Sequence, residues 1–177
     1  MENIKVLIPN DMLIKKIKEI ANKINKEYKG EKIKLVCILK GSIFFTCELA
    51  KYITVPVKID FMQVSSYGNN TISSGNINIK KDLDESIENE NIIIIEDIID
   101  SGNTLKKLTE ILKDRNPKSL KICTLLNKPS RRKVQINIDY NGFEIEDEFV
   151  VGFGLDYAQE YRNLPYIGII SDKKKDI

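Results

Sequence analysis

Three carboxylates follow a run of four isoleucines near the middle of the chain. Glu96 and Asp97 come directly after the run, and Asp100 follows two further isoleucines. Carboxylate oxygens accept hydrogen bonds from sugar hydroxyls and bind hard cations, and a carboxylate can exchange a proton with a substrate. We therefore expect Glu96 and Asp97 to hold vicinal hydroxyls, directly or through a cation, and Asp100 to act as an acid or base.

A small polar loop, DSGNT, begins at Asp100. A helix that starts near Asn103 would direct free backbone N–H groups and the positive end of its dipole at this loop. Gly102 permits close backbone approach, and Ser101 and Thr104 add hydroxyl donors. The loop is therefore predicted to bind phosphate, but it lacks the lysine of a nucleoside-triphosphatase loop. The alternative is simple helix capping by Asp100 or Ser101, which would require only one of the three acids.

The composition limits the remaining chemistry. The 177 residues include no histidine, which excludes Ser-His and Cys-His catalytic pairs and the usual zinc sites. Cys37, Cys47 and Cys123 lie far apart in apolar surroundings and are expected to be buried free thiols. A net charge of +2 does not indicate nucleic-acid binding. No segment has the form of a membrane span or a secretory leader, so a cytoplasmic protein is expected.

The elements that must position these residues follow from alternating aliphatic runs and helical patterns. Strands are predicted at 34–39, 55–64, 92–96, 119–126, 149–157 and 166–171, and helices at 11–28, 43–53 and from Asn103. Asn10 or Asp11 is expected to cap the first helix. The Ser-, Asn- and Gly-rich stretch 65–76 is predicted to be a loop, with a hairpin arm at 77–83. This alternation predicts a single α/β domain over residues 1–177, with a central, mainly parallel sheet.

Ligands of parallel sheets bind beyond the carboxyl ends of the strands. Four polar turns are predicted to lie at that edge, one of them acidic and the others basic, at residues 40–42, 96–104, 128–133 and 155–162. The residues themselves therefore predict a site for a phosphorylated sugar.

The stretch IIIIEDIIDSGNTL at 92–105 resembles the phosphoribosyl-pyrophosphate motif of type I phosphoribosyltransferases, and most closely its hypoxanthine-guanine members. The similarity extends, in the order of the family, to LKGS, SSYG and FVVGFGLDYAQEYRNLPYIG, over roughly residues 35–171. It implies helices flanking the sheet, a small hood, a flexible flap, and Mg²⁺-dependent purine salvage. Phosphoribose would pass from phosphoribosyl pyrophosphate to hypoxanthine or guanine, giving IMP or GMP and pyrophosphate. The resemblance also implies a homodimer or homotetramer, without nucleic-acid or membrane partners.

The resemblance further implies which residues contact the phosphoribosyl group. Glu96 and Asp97 would hold the ribose hydroxyls, and Asp100 would exchange a proton near N7 of the purine. Asn103 replaces a lysine that some relatives carry, with little expected effect because the loop acts through its backbone. The implied 5′-phosphate loop comprises Asp100, Ser101, Gly102, Asn103 and Thr104.

Pyrophosphate and metal contacts are implied in the same way. Lys40, Gly41 and Arg162 would contact pyrophosphate, and the family carries a cis peptide bond between Leu39 and Lys40. Without the resemblance, Lys40 and Arg162 would be interpreted as surface cations and Asp156 as the start of an Asx turn. The carboxylates that would bind Mg²⁺ are Glu96, Asp97 and Asp156.

The implied purine site combines a cation with an aromatic ring. Lys128 would donate to the 6-oxo group, Phe149 would stack on the ring, and Val150 would add backbone contacts. For Phe149 the alternative is core packing, since it precedes two valines. Because a donor suits a 6-oxo group, Lys128 argues against adenine as the base; xanthine stays open.

The resemblance also assigns one mobile loop, and a second, basic loop is interpreted from its residues. Ser66 and Tyr67 correspond to the flap, whose closure would exclude water; the alternative is a disordered surface loop. The basic cluster at 131–133 is interpreted as a solvated loop, in which Arg132 could instead support the site from behind.

Two other classes of protein are weighed against an enzyme. A receiver-type signalling domain also has an acidic Mg²⁺ pocket and a Lys-Pro pair, here at Lys128. However, its acid pair should follow the first strand, whereas Glu96 and Asp97 lie mid-chain. A regulator that keeps the phosphoribosyltransferase fold but binds RNA or DNA is disfavoured by the mild net charge and the lack of a basic arm.

Overall fold

Two β-sheets and three α-helices make up the parts of the chain that the computed structural model describes, residues 3–66 and 77–171. The strands are β1 (Asn3–Ile8), β2 (Ile33–Leu39), β3 (Val57–Ser66), β4 (Ile77–Lys81), β5 (Asn91–Ile99), β6 (Ser119–Asn127), β7 (Tyr140–Glu144), β8 (Val150–Val151) and β9 (Ile167–Ser171). The helices are α1 (Asn10–Glu27), α2 (Ile43–Ala50) and α3 (Asn103–Lys113), and a 3₁₀ turn spans Pro129–Arg131.

The larger sheet has the strand order β4-β3-β2-β5-β6-β7. All of its neighbouring strands are parallel except β4, which pairs with β3 in the antiparallel sense. The predicted α/β fold with a mainly parallel sheet is therefore confirmed, and the predicted hairpin arm is the edge strand β4. β5 lies in the interior of the sheet, and its isoleucines at 92–95 are fully buried. An apolar run is what a strand covered on both faces requires.

Helices cover both faces of this sheet and create two cores. Ile93 and Ile95 pack with α1 and α2, whereas Ile92 and Ile94 pack with α3. Successive side chains of a strand point to opposite faces, so β5 contributes alternate residues to the two cores. This packing fixes the orientation of β5 and, with it, of the acids at its end.

A second, antiparallel sheet of three strands, β1-β9-β8, joins the first and last described parts of the chain. It corresponds to the expected hood. Its strand β1 was not predicted, nor was β7 of the larger sheet. The predicted strand at 149–157 is only two residues long, β8, because the chain turns at Gly152 and Gly154, whose φ angles are 94° and 104°.

Three local predictions are wrong. Neither Asn10 nor Asp11 caps α1: the N-cap is Pro9, and it makes no side-chain capping bond. β5 does not end near Glu96 but continues to Ile99 through its pairing with β6. Cys47 is exposed on α2, whereas Cys37 and Cys123 are buried as expected, and all three thiols are free.

No helix within residues 3–66 and 77–171 is long and apolar enough to cross a membrane. Of the two predicted flap residues, Ser66 is the last residue of β3 and Tyr67 lies outside the described residues.

Candidate active site

Glu96 and Asp97 lie within β5, near its carboxyl end, and both side chains are only partly exposed. The Asp97 carboxylate accepts a hydrogen bond from the N–H of Ile98, at 2.7 Å. Burial, and then the neighbouring Asp97 carboxylate, raise the pKa of Glu96 well above its ordinary value. Burial also raises the pKa of Asp97. Two adjacent acids with this environment favour donors or a cation that would stabilise their charged forms.

Two glycines allow the neighbouring loops to contact these acids closely. A Cβ atom on Gly41 would lie 1.5 Å from Oδ2 of Asp97, and one on Gly154 would lie 1.9 Å from the carbonyl oxygen of Gly41. The loop after β2, the end of β5 and the turn after β8 therefore meet through their backbones. The expected cis peptide bond between Leu39 and Lys40 is present in the first of these loops.

The predicted phosphate loop follows β5 and leads into α3. Gly102 has a φ of 80° and is the N-cap of α3, which has no side-chain capping bond. Neither Asp100 nor Ser101 is therefore the N-cap of α3, although Oγ of Ser101 accepts a 3.4 Å hydrogen bond from the N–H of Asn103. A cavity of about 280 Å³ opens here, and its lining includes Gly41, Glu96, Asp97, Asp100, Ser101, Gly102 and Thr104.

Arg132 supports this loop from behind. Its Nη1 lies 3.2 Å from where a Cβ of Gly102 would be, and its Nη2 donates to the side-chain oxygen of Asn127. Nη1 is buried and has no hydrogen-bond partner among the described residues. The N–H of Lys133 donates to the carbonyl of Ser101 at 3.0 Å. The loop after β6 thus supports the phosphate loop. Arg132 is therefore a supporting residue behind the site and not part of a solvated loop.

The two cations that are predicted to bind pyrophosphate, Lys40 and Arg162, form a second cluster. Arg162 donates to the carbonyl of Gly154 at 2.7 Å and forms an ion pair with Asp156, also at 2.7 Å. Oε1 of Gln159 accepts from Lys40 at 3.1 Å and from Arg162 at 3.3 Å. Lys40 and Arg162, which are 122 positions apart in the sequence, are therefore brought to one acceptor. Asp156 also accepts from the N–H of Gln159, so the Asx-type turn and the ion pair coexist.

The predicted purine residues line a separate cavity of about 460 Å³ beside Asp100. Lys128 is buried, and its ammonium lies 3.6 Å from Oδ1 of Asp100. Phe149 is 56% exposed, so core packing is wrong for it. Its ring contacts the ring of Tyr157 edge-to-face, with centroids 5.6 Å apart, and Phe149 lines the cavity. Val150 is buried at the same wall.

Two residues that contact predicted site residues were missed from the sequence. Asp147 lies between Lys128 and Arg131, and Gln159 lies between Lys40 and Arg162. Both occur in polar stretches where many side chains are solvated, so the sequence alone offered no signal to single them out.

A further cavity of about 580 Å³ lies at the opposite, amino-terminal edge of the sheet, near Ile33, Val57 and Asn91. None of the predicted site residues lines it. The predicted site residues therefore lie at the carboxyl edge of the sheet, although the cavity at the amino-terminal edge has the greater volume.

The donor set is compatible with Mg²⁺ that is shared with a substrate. Within the described residues, no group of three or more acids and cysteines lies close enough to hold a metal ion by itself. Mg²⁺ usually binds through one or two carboxylates together with substrate phosphates and water. Glu96 and Asp97, adjacent and of raised pKa, match that pattern, whereas Asp156 is already paired with Arg162.

The fold and this edge of loops define a class of protein that binds phosphorylated sugars. The phosphoribosyl transferase domain model matches residues 7–158, and the chain belongs to this family. It is 54% identical over 173 residues to the hypoxanthine phosphoribosyltransferase of Buchnera aphidicola subsp. Schizaphis graminum, covering 97% of this chain and 98% of that one. It is 52% identical over 166 residues to the hypoxanthine-guanine phosphoribosyltransferase of Bacillus subtilis, covering 94% and 92%. A crystal structure of a hypoxanthine-guanine phosphoribosyltransferase from Bacillus anthracis superimposes with a TM-score of 0.92 at 46% identity, covering 96% and 100%.

Proposed function

We propose that this chain is an enzyme of purine salvage that transfers phosphoribose from phosphoribosyl pyrophosphate to hypoxanthine, and also to guanine. The products are IMP or GMP and pyrophosphate. The observation that carries the proposal is the adjacency of a phosphate loop, an acid pair and a base-sized cavity at one sheet edge. The names and the 52–54% identity of the two relatives over nearly their whole length support the same reaction.

The side chains have distinct parts in this reaction. Glu96 and Asp97 hold the ribose hydroxyls, and the loop from Asp100 to Thr104, whose members are Asp100, Ser101, Gly102, Asn103 and Thr104, binds the 5′-phosphate. Lys40, Gly41 and Arg162 bind pyrophosphate. A ring nitrogen of the base bonds to C1 of the sugar while the C1–O bond breaks, and its electrons leave with pyrophosphate. Asp100 takes the N7 proton, so that charge and protons balance.

The base lies between Lys128 and Phe149. The Lys128 ammonium donates a hydrogen bond to the 6-oxo oxygen. The 6-amino group of adenine could not accept this hydrogen bond, so Lys128 favours hypoxanthine and guanine over adenine. The Phe149 ring stacks on the base, and the backbone of Val150 completes the wall. Ser66 and Tyr67 belong to a flap that closes over the ligands and excludes water, which protects the positively charged sugar carbon from hydrolysis.

Mg²⁺ is the cofactor that we propose, held by Glu96, Asp97 and Asp156 together with substrate oxygens. When bound, it stabilises the negative charge that develops on the leaving pyrophosphate. Asp156 would contribute its side chain or a bound water, and its ion pair with Arg162 competes with that role.

We also propose that residues 1–177 act as one phosphoribosyltransferase domain, in the cytoplasm, as a homodimer or homotetramer without nucleic-acid or membrane partners. Three free cysteines are consistent with a reducing compartment.

The test is nucleotide formation from phosphoribosyl pyrophosphate, Mg²⁺ and each purine base in turn. We expect turnover with hypoxanthine and guanine and little with adenine. The rate with xanthine shows whether a 6-oxo group alone is enough for a base to be a substrate. No turnover with either hypoxanthine or guanine would overturn the proposal. RNA or DNA binding at physiological salt, in the absence of turnover, would instead support the regulator.

A further inference from the structure

The Lys128 ammonium is enclosed by protein and faces two carboxylates. Its side chain is 7% exposed, and its nitrogen lies 3.6 Å from Oδ1 of Asp100 and 3.9 Å from Oδ1 of Asp147. Its backbone N–H is fixed at the end of β6 by a 3.0 Å bond to the carbonyl of Ile99. The root of this side chain is therefore rigid, and the two carboxylates determine where its charged end lies.

Asp147 is itself held in place. Arg131 donates to both of its carboxylate oxygens, at 3.0 Å and 3.3 Å. Asp147 lies two residues before Phe149, and both line the cavity of about 460 Å³ that also contains Lys128. The pair of Arg131 and Asp147 thus joins the 3₁₀ turn after β6 to the segment that leads into β8, at the mouth of the base cavity.

We infer that Asp147 is a positioning residue for Lys128, an inference that rests on the proposed function. In the ligand-free chain, Asp100 and Asp147 share the ammonium. When a base binds, Asp100 turns to N7, and Asp147 is then the anion that balances the ammonium and aims one of its protons at the 6-oxo oxygen. Arg131 keeps the Asp147 carboxylate at the correct distance for this exchange of partners.

A purely structural role of Asp147 makes a different prediction. If the residue only joined two loops through Arg131, its loss would weaken the binding of every base alike, because the cavity wall would move. If it positions Lys128, its loss affects only a base that carries a 6-oxo acceptor. The parent purine, which lacks any group at position 6, separates the two cases.

The first experiment compares Asp147→Asn with Glu146→Gln, a neighbouring exposed acid that does not line the cavity. For Asp147→Asn we expect KM for hypoxanthine to rise about five-fold, the upper end for a solvent-exposed ion pair, while kcat and KM for phosphoribosyl pyrophosphate change less than about two-fold. Asp147→Glu should recover most of the lost affinity, and Glu146→Gln should behave as the wild type. Melting temperatures close to that of the wild type establish that each variant folds.

The second experiment measures inhibition by the parent purine against hypoxanthine. We expect the same inhibition constant for the wild type and Asp147→Asn. An unchanged KM for hypoxanthine in Asp147→Asn, or an equal weakening of hypoxanthine and purine, would overturn the inference while the proposed function stands. A wild type that turns over no 6-oxopurine would overturn the proposed function itself.

Discussion

At the scale of single residues, the three acids of β5 and its loop occupy three different environments. Glu96 and Asp97 are partly buried neighbours with raised pKa values, whereas the Asp100 side chain is about half exposed at the lip of the phosphate loop. Of the three acids, only Asp100 lines both the cavity at the phosphate loop and the cavity at Lys128. This position makes it the group that can meet both the sugar phosphate and the base.

Asp100→Asn is accordingly expected to lower kcat by about 10²–10⁴-fold, the usual contribution of a positioned acid or base. The affinity for phosphoribosyl pyrophosphate should change little, because the backbone of the loop remains. Steady-state kinetics with hypoxanthine measure both quantities. Asp11→Asn, at an exposed position on α1, serves as the control. A variant with the wild-type rate would assign the proton transfer to another group.

At the scale of elements, the loops of the site pack closely because glycines leave room for backbone contact. Gly154 and Gly30 both have positive φ angles, 104° and 82°. A Cβ on Gly30 would meet nothing within 4 Å, whereas one on Gly154 would collide with the backbone of Gly41. The two positions therefore separate backbone strain from steric contact between loops.

Gly154→Ala is expected to destabilise more than Gly30→Ala. Strain alone costs roughly 1 kcal/mol, about 2–4 °C in Tm for a domain of this size. The collision in Gly154→Ala should bring the loss to about 5–10 °C and reduce activity, because the loop of Gly41 must move. Thermal unfolding measures the first and turnover the second. Equal melting temperatures for the two variants would show that the loops of Gly154 and Gly41 can move apart without a loss of stability.

A second element-scale contact joins the end of β4 to the end of α3. Arg115 donates to both oxygens of Asp82, each at 2.7 Å. These bonds lower the pKa of Asp82 below its ordinary value of 3.8. A carboxylate with a lowered folded pKa stabilises the protein above its unfolded pKa, and this contribution is lost as the pH falls through the folded value.

The Tm difference between the wild type and Arg115→Gln should therefore be constant above about pH 5 and shrink below about pH 4. Because Asp82 is about half exposed, the difference should not exceed about 1 kcal/mol, or 2–4 °C. Melting curves from pH 3 to 7 provide the measurement. Lys107→Gln, which breaks an ion pair inside α3, should show a smaller effect. A difference that grows toward low pH would contradict this origin.

At the scale of the whole molecule, the site is a meeting point of loops from both sheets. Because a ligand that binds only the folded chain stabilises it, phosphoribosyl pyrophosphate with Mg²⁺ at about 100 times its Kd should add about 2.7 kcal/mol, or 5–10 °C in Tm. Excess EDTA should remove most of this shift, since the acids would face the ligand without a cation. Mg²⁺ alone and ligand alone are the controls. An undiminished shift in EDTA would argue against a shared metal.

Much of this arrangement was predictable from local patterns. The aliphatic runs of β2, β5 and β6 and the apolar stripes of α1 and α3 are strong local signals. The residue types of the DSGNT loop were enough to predict phosphate binding. β1 and β7 were missed because each is short, six and five residues, and is completed by its pairing with β9 and β6, which the sequence does not show. The contacts of Gln159 and Asp147 could not be predicted, because they depend on loops that only the fold brings together.

The contact between Gly154 and Gly41 also bears on when the site comes into being. During synthesis the acids of β5 and the phosphate loop emerge with the first hundred or so residues, but Gly154 and Arg162 follow some fifty residues later. Until then the carbonyl of Gly41 lacks its contact with Gly154, and Lys40 lacks Gln159 as an acceptor. We therefore expect a nascent chain to gain activity only once the segment between β8 and β9, which carries Gly154 and Arg162, is in place.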